Sequence, residues 1–251
     1  MNHITHITVT ILAGGLGTRL RSVIAHQQKV LAPIGGRPFL SFILDKLVQT
    51  GFRNVILCTG YKAHEVMATF GYRYKELSIQ YSCEPEPLGT GGTLRYASPL
   101  ITSESTLVMN GDSYIESDLN AYIDWFFKKE KQATLLVTKV NDTSQYGKVD
   151  MDNDGLITGF YEKNSRIGKG LVNAGVYLFR TSLIHTIPHN IPLSLEKDFL
   201  PTLVGKKLYG YYCEGTFIDI GTPETYAMSE VFFKHWDMNT CMSKNAPRYT
   251  T

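Results

Sequence analysis

Over the first 118 residues, short apolar runs of strand length alternate with stretches of helical periodicity, and that alternation leaves few folds open. Strand-like runs fall at 8–12, 54–59, 78–83 and 106–110, with helix patterns between them at 39–50, 63–70 and 91–97. In the first helix Phe39, Leu40, Ile43, Leu44 and Leu47 keep one apolar face, and Gly51 supplies a stop. The pattern predicts an α/β fold with a Rossmann-like, mixed but mainly parallel central sheet and helices on both faces. Ligands of such sheets bind beyond the carboxyl ends of the strands.

After Asp118 the pattern changes. A helix at 119–130 precedes strands at 133–140, 148–151, 157–162 and 172–179, and Asp152-Asn153-Asp154-Gly155 predicts a hairpin turn among them. A helix around 195–204, strands at 208–212 and 217–220, and a last helix at 223–234 complete the reading. The expected organisation is one domain over 1–234, a first half to about 118 and a small β-rich half over 119–234, then a polar tail at 235–251.

Composition removes several classes. With 251 residues the chain can bury a sizeable core, and 43% hydrophobic with 19% charged residues is ordinary for a soluble globular protein. A formal charge of +2 gives no reason to expect a nucleic-acid or membrane-surface partner. Cys58, Cys83, Cys213 and Cys241 are far apart, so reduced thiols are expected and a zinc site is not. No apolar run approaches the ~18 residues of a membrane span. The start, Met1-Asn2-His3-Ile4-Thr5, lacks the basic flank of a signal peptide, so a cytoplasmic location is expected.

Directly after the first strand the chain reads Leu12-Ala13-Gly14-Gly15-Leu16-Gly17-Thr18-Arg19-Leu20-Arg21. Three glycines in four positions let backbone N–H groups converge on phosphate oxygens, and arginine forks suit the same ligand. The P-loop pattern is absent, and the dinucleotide fingerprint fails because Leu20 stands at its third glycine. A tight turn with solvated arginines is the plain alternative.

Other residues carry weaker signals singly. Lys29, a dozen residues on, can neutralise charge at the mouth of a phosphate loop, or can be a solvated lysine. Leu88-Gly89-Thr90-Gly91-Gly92 opens a helix and can present amides to a ligand, or can be glycine chosen for sterics. Asp112 and Asp219 sit in apolar surroundings, where sharing a Mg²⁺ or capping a helix would offset their burial. Glu162, Lys163 and Asn173 on neighbouring strands can read sugar hydroxyls and a phosphate, or be ordinary hairpin residues.

Taken together in order, these segments resemble the sugar-1-phosphate nucleotidyltransferase family: its Gly-Gly-x-Gly-Thr-Arg-Leu start, its lysine, its Gly-Asp and its late aspartate, from about Ile11 to Thr225. Within it, Pro87 to Gly92 and Gly36-Arg37-Pro38 before Phe39-Leu40 are most similar to D-glycero-α-D-manno-heptose 1-phosphate guanylyltransferases, with the mannose-1-phosphate enzymes close by. The resemblance implies a nucleotidyltransferase-type fold and transfer of GMP from GTP to a sugar 1-phosphate, with Mg²⁺ as cofactor. It implies that Leu12, Gly14, Gly15, Gly17, Thr18, Arg19, Glu84, Gly89, Thr90 and Gly92 bind the nucleotide. By the same resemblance Arg19, Lys29 and Asp112 are catalytic, Asp112 and Asp219 hold the metal, and Gly147, Glu162, Lys163 and Asn173 take the sugar phosphate.

One departure stands out. The family usually has Pro-Lys-Pro where this chain has Gln28-Lys29-Val30, and losing both prolines frees φ on each side of the lysine. The changed surroundings leave open a non-catalytic nucleotide-sugar-binding subunit. A nucleotide-sugar glycosyltransferase is a further alternative, but Asp112-Ser113-Tyr114 lacks its usual Asp-x-Asp. A homodimer also stays open.

Overall fold

The computed structural model describes residues 3–15, 17–24, 27–161 and 168–243, with backbone alone for 18, 21, 22 and 235–243. The strands in chain order are β1 (Ile7–Leu12), β2 (Pro33–Ile34), β3 (Arg37–Pro38), β4 (Asn54–Thr59), β5 (Arg73–Tyr74), β6 (Leu77–Cys83) and β7 (Ser105–Asn110). They continue with β8 (Ser113–Ile115), β9 (Ala133–Val140), β10 (Lys148–Met151), β11 (Ile157–Tyr161), β12 (Gly170–Arg180), β13 (Leu208–Tyr212) and β14 (Phe217–Asp219). The α-helices are α1 (Arg21–Ile24), α2 (Phe39–Thr50), α3 (Ala63–Phe70), α4 (Gly89–Ala97), α5 (Leu119–Lys128), α6 (Thr181–Ile184) and α7 (Pro223–Ser243).

One mixed sheet runs β11-β10-β12-β7-β1-β4-β6-β5, with β9 on β12 and β13 on β9. Its centre, β7-β1-β4-β6, is parallel throughout, as the alternation of strands and helices requires. The second half joins antiparallel through β12 on β7. Residues of these central strands alternate between two cores. Val9, Ile11, Val55, Leu57, Leu107 and Met109 pack on one face with α2 and α5. Ile56, Cys58 and Val108 pack on the other with Leu94 of α4 and Leu195. Both faces of β1, β4 and β7 are therefore buried, whereas β6 alternates buried and exposed residues.

α2 ends where expected, at Gly51 with φ +106°, whose N–H bonds back to the Leu47 carbonyl. Two expectations are corrected. The helix at 195–204 is a π-turn at Leu195–Phe199 followed by a 3₁₀ turn at Leu200–Leu203, because Pro201 cannot donate to a carbonyl four residues back. The last helix passes Lys234 and reaches Ser243, since no glycine or proline interrupts 226–243. Strand β8, unread in the sequence, pairs with β14 in a separate two-stranded sheet. Lys46 of α2 fastens β8 by donating to the carbonyl of Ile115 and to Ser117 Oγ at 2.9 Å. Burial pushes that ammonium down to about 8.

Candidate active site

Leu12 and Asn110 are register partners in adjacent parallel strands, so the loops leaving β1 and β7 start level with each other. β4 flanks β1 on the other side, and the chain's crossing from one flank to the other opens a crevice at the strand ends. The glycine loop forms one wall. Gly17 has φ +57°, and a Cβ there would stand 3.1 Å from that of Lys29, so the loop turns left-handed while touching the lysine stem. Gly111 is held by its N–H on the Leu12 carbonyl at 2.9 Å.

Lys29 begins a short 3₁₀ turn, Lys29–Leu31, and points across the crevice. Its Nζ donates to Asp112 Oδ2 at 2.6 Å, with side-chain exposures of 12% and 36%. The pairing of β14 with β8 places Asp219 opposite Ser113, and the Ile220 N–H donates to the Asp112 carbonyl at 3.0 Å. Two aspartates more than a hundred residues apart in sequence thus line one cavity of about 350 Å³. Asp219 Oδ1 accepts from the Gly221 N–H at 2.8 Å and from Thr225 Oγ1 at 3.2 Å. The helix-entry role that the sequence allowed for Asp219 therefore coexists with a carboxylate on the cavity wall. Mg²⁺ takes one or two protein carboxylates and fills its other positions with phosphate and water, so this donor set fits it.

A second cavity of about 460 Å³ is lined by Leu12, Gly14, Gly15, Lys29, Glu84, Gly89 and Thr90. The two cavities meet at Arg19, Asn110, Asp112 and Glu196, which line both. Glu84 accepts from Thr93 Oγ1 and the Leu88 N–H. Burial raises its carboxyl above the usual range, against the pull of those two donors.

On the far side, β12 carries a register shift between Asn173 and Tyr177, and Gly175 within it has φ +71°. The bulge turns Asn173 and Gly175 into the first cavity. Asn173 Nδ2 donates to Tyr177 Oη at 2.8 Å, and Tyr177 donates to Glu196 Oε1 at 3.1 Å. Thr90 donates to Glu196 Oε2 at 2.8 Å. Burial first, and then the Glu196 charge, hold the Tyr177 phenol well above its ordinary range, so it stays a donor. Tyr146, beside Gly147 on the cavity wall, is pushed up to about 12 by burial and by nearby Asp219 and Asp142. Asn110 Oδ1 and Ser113 Oγ are buried on this wall without a hydrogen-bond partner among the described residues, an arrangement that suits a polar ligand.

The expected residues thus converge, with differences. Gly17 and Gly92 line neither cavity. The N–H groups of Gly91 and Gly92 are bonded to the Leu193 carbonyl at 2.8 and 3.1 Å, so those two amides are taken up within the fold. Glu162 and Lys163 lie outside the described residues, as does the Thr18 side chain. Glu196, Tyr146, Phe160 and Phe217 were missed, although they line the first cavity; a glutamate in a short turn and scattered aromatics give no local signal.

Gly89 tests the steric reading. It has φ +69°, and a Cβ would lie 2.7 Å from the Leu193 carbonyl oxygen. Gly89→Ala is expected to lower unfolding free energy by about 2–4 kcal/mol, from left-handed strain plus overpacking, read by urea denaturation.

Comparison with known proteins follows the same lines. A family profile described as nucleotidyl transferase matches residues 8–234. The D-glycero-α-D-manno-heptose 1-phosphate guanylyltransferase of Aneurinibacillus thermoaerophilus is 38% identical over 228 residues, covering 90% of this chain and 98% of that protein. The protein of the same name from Campylobacter jejuni is 37% identical over 218 residues, 86% of this chain and 95% of its own. The crystal structure of HddC from Yersinia pseudotuberculosis complexed with GMP-PN superposes with a TM-score of 0.81 at 34% identity, covering 90% of this chain and 99% of that one.

Proposed function

The chain belongs to the nucleotidyl transferase family, and we propose that it transfers GMP from GTP to D-glycero-α-D-manno-heptose 1-phosphate, giving GDP-heptose and pyrophosphate for surface glycans. The observation that carries this reading is the meeting of two cavities at Arg19 and Asp112, the partner of Lys29, with one cavity walled by the glycine loop and the other by the β-rich half. The named activity of the relatives and the GMP-PN complex of HddC support guanine and heptose as the substrates.

The nucleotide occupies the cavity beside Gly14, Gly15 and Glu84, with Leu12, Gly89 and Thr90 around it. The sugar phosphate occupies the cavity of Tyr146, Gly147 and Asn173, with Glu162 and Lys163 as further sugar-phosphate ligands. The first half to residue 118 is thus the nucleotide half, and 119–234 the sugar half. A sugar phosphate has a second pKa near ~6 by analogy with phosphorylated side chains, so at neutral pH its oxygen attacks without a general base. That oxygen bonds to the α-phosphorus as the bond to the bridging oxygen breaks, and pyrophosphate carries off the electron pair. Lys29 sits between the reacting phosphates, and Arg19, on both cavities, stabilises charge on them. Asp112 and Asp219 would hold Mg²⁺, which supplies charge neutralisation on the phosphates when bound. The reading places the enzyme in the cytoplasm. Among the described residues no helix is long and apolar enough to cross a membrane.

The test is pyrophosphate release with Mg²⁺ across five nucleoside triphosphates, each paired with heptose, mannose, glucose and N-acetylglucosamine 1-phosphates. GTP with heptose 1-phosphate is expected to exceed every other pair. A different best pair replaces the substrates. No release from any pair, in folded protein, leaves a nucleotide-sugar-binding subunit as the reading.

A further inference from the structure

Gln28 is a polar residue with 1% exposure, directly before the lysine of the site. Its side-chain amide is used at both ends. Nε2 donates to the Ala13 carbonyl at 2.7 Å and lies 3.4 Å from the carbonyls of Gly15 and Tyr61. Oε1 accepts the Val30 N–H at 3.1 Å and caps the 3₁₀ turn that carries Lys29. The Gln28 backbone N–H donates to Glu65 Oε2 at 3.2 Å, and Lys62 holds the same carboxylate through Oε1 at 2.6 Å. Only this orientation of the amide turns its two N–H donors toward the carbonyls and its oxygen toward the Val30 N–H.

One side chain therefore ties together the glycine loop, the Lys29 turn and the loop after β4. The consequence for the glycine loop is directional. In a planar trans peptide the C=O and the following N–H point opposite ways. The bond from Gln28 to the Ala13 carbonyl fixes the plane of the 13–14 peptide, and with it the Gly14 N–H, at a residue that lines the nucleotide cavity. The Val30 bond meanwhile fixes the turn from which Lys29 reaches Asp112.

We propose that Gln28 is a positioning residue for the transfer reaction: its amide orients the phosphate-facing peptides of the glycine loop and sets the Lys29 ammonium at its distance from Asp112. The proposal rests on the nucleotidyl-transfer reading for Lys29 and extends it to the residue before it, which lines the same cavity and acts through the loop and the turn that it holds. No proline stands on either side of Lys29, so it is the Gln28 amide that ties this turn to the glycine loop.

Three variants separate the amide's role from backbone stiffness. Gln28→Glu keeps size and the acceptor for Val30 but presents a carboxylate to three carbonyls. Gln28→Ala removes both ends. Gln28→Pro suits the local φ of −63° and stiffens the backbone without the side-chain amide, while also losing the backbone N–H bond to Glu65. Each is assayed well below its own Tm, with rates per folded molecule. All three are expected to lower kcat about 10–100-fold, the scale of an ångström's misplacement of a reacting group, while KM for the sugar phosphate stays within twofold. Calorimetric titration with GTP alone is expected to show affinity weakened at least tenfold in Gln28→Glu. That titration needs no sugar phosphate, so it reads the loop even if the sugar assignment fails. Wild-type kcat in Gln28→Pro would reduce Gln28 to a stiffener and overturn the proposal. So would kcat and GTP affinity within twofold of wild type in Gln28→Glu.

Discussion

Lys29→Ala is expected to lower kcat by about 10²–10³-fold, the scale of losing one preorganised donor to developing charge, while leaving the protein folded. The structure gives reasons for both halves of that result. The lysine is 12% exposed and anchored on Asp112 at 2.6 Å, so its charge stands in fixed position before any substrate arrives. Preorganisation of this kind stabilises a transition state more than a ground state, because no reorganisation is needed as charge builds. Removing it is therefore expected to act on kcat more than on KM for GTP. The fold is expected to survive because Asp112, the partner left behind, is 36% exposed and can take water in place of the ammonium. Circular dichroism with steady-state pyrophosphate release checks both points. A normal rate in folded Lys29→Ala would take the lysine out of the mechanism.

Much of this site was legible because its parts lie where strand ends are marked by glycine. Gly14, Gly15 and Gly17 after β1 and Gly111 after β7 announce two loops, and parallel register places them side by side. The pairing of Asp112 with Asp219 was foreseeable only as chemistry. Strand β8, which brings them together, is three residues long, too short to show a period. The helix expected near 195 failed for a related reason. Ser194 caps the turn there, its Oγ accepting from the Lys197 N–H at 3.1 Å, and Pro201 then diverts the chain from α-helical bonding. Glu196 stands in that irregular turn, held by Thr90 and Tyr177 on the wall of both cavities, where periodicity could not show it. Gln28 is the opposite case. Its identity was plain and read as a loosening, whereas its effect depends on three carbonyls brought together by tertiary folding.

Asp219→Asn is expected to cost about 10²–10³-fold in kcat at fixed Mg²⁺, comparable to losing an electrostatic anchor on the phosphates. It is also expected to raise the Mg²⁺ concentration at half-maximal rate by at least tenfold. Asparagine is the informative substitution because Asp219 has two jobs in the structure. Its Oδ1 accepts from the Gly221 N–H and from Thr225 Oγ1, which fixes the entry to α7. An asparagine carbonyl oxygen can accept the same two bonds, so the turn is expected to hold and Tm to move by a few degrees at most. What asparagine cannot supply is the negative charge a divalent cation prefers in a hard oxygen ligand. Asp219→Ala removes both functions and is expected to lower Tm as well as rate. The pair therefore separates the helix-entry role from the metal role. The titration is run from micromolar to tens of millimolar Mg²⁺ with both substrates saturating. A shifted half-maximum with partial recovery at high Mg²⁺ places the carboxylate on the cation. A Mg²⁺ curve superposing on that of the wild type would leave Asp219 as a helix-entry residue, with Asp112 and the substrate phosphates ligating the cation without it.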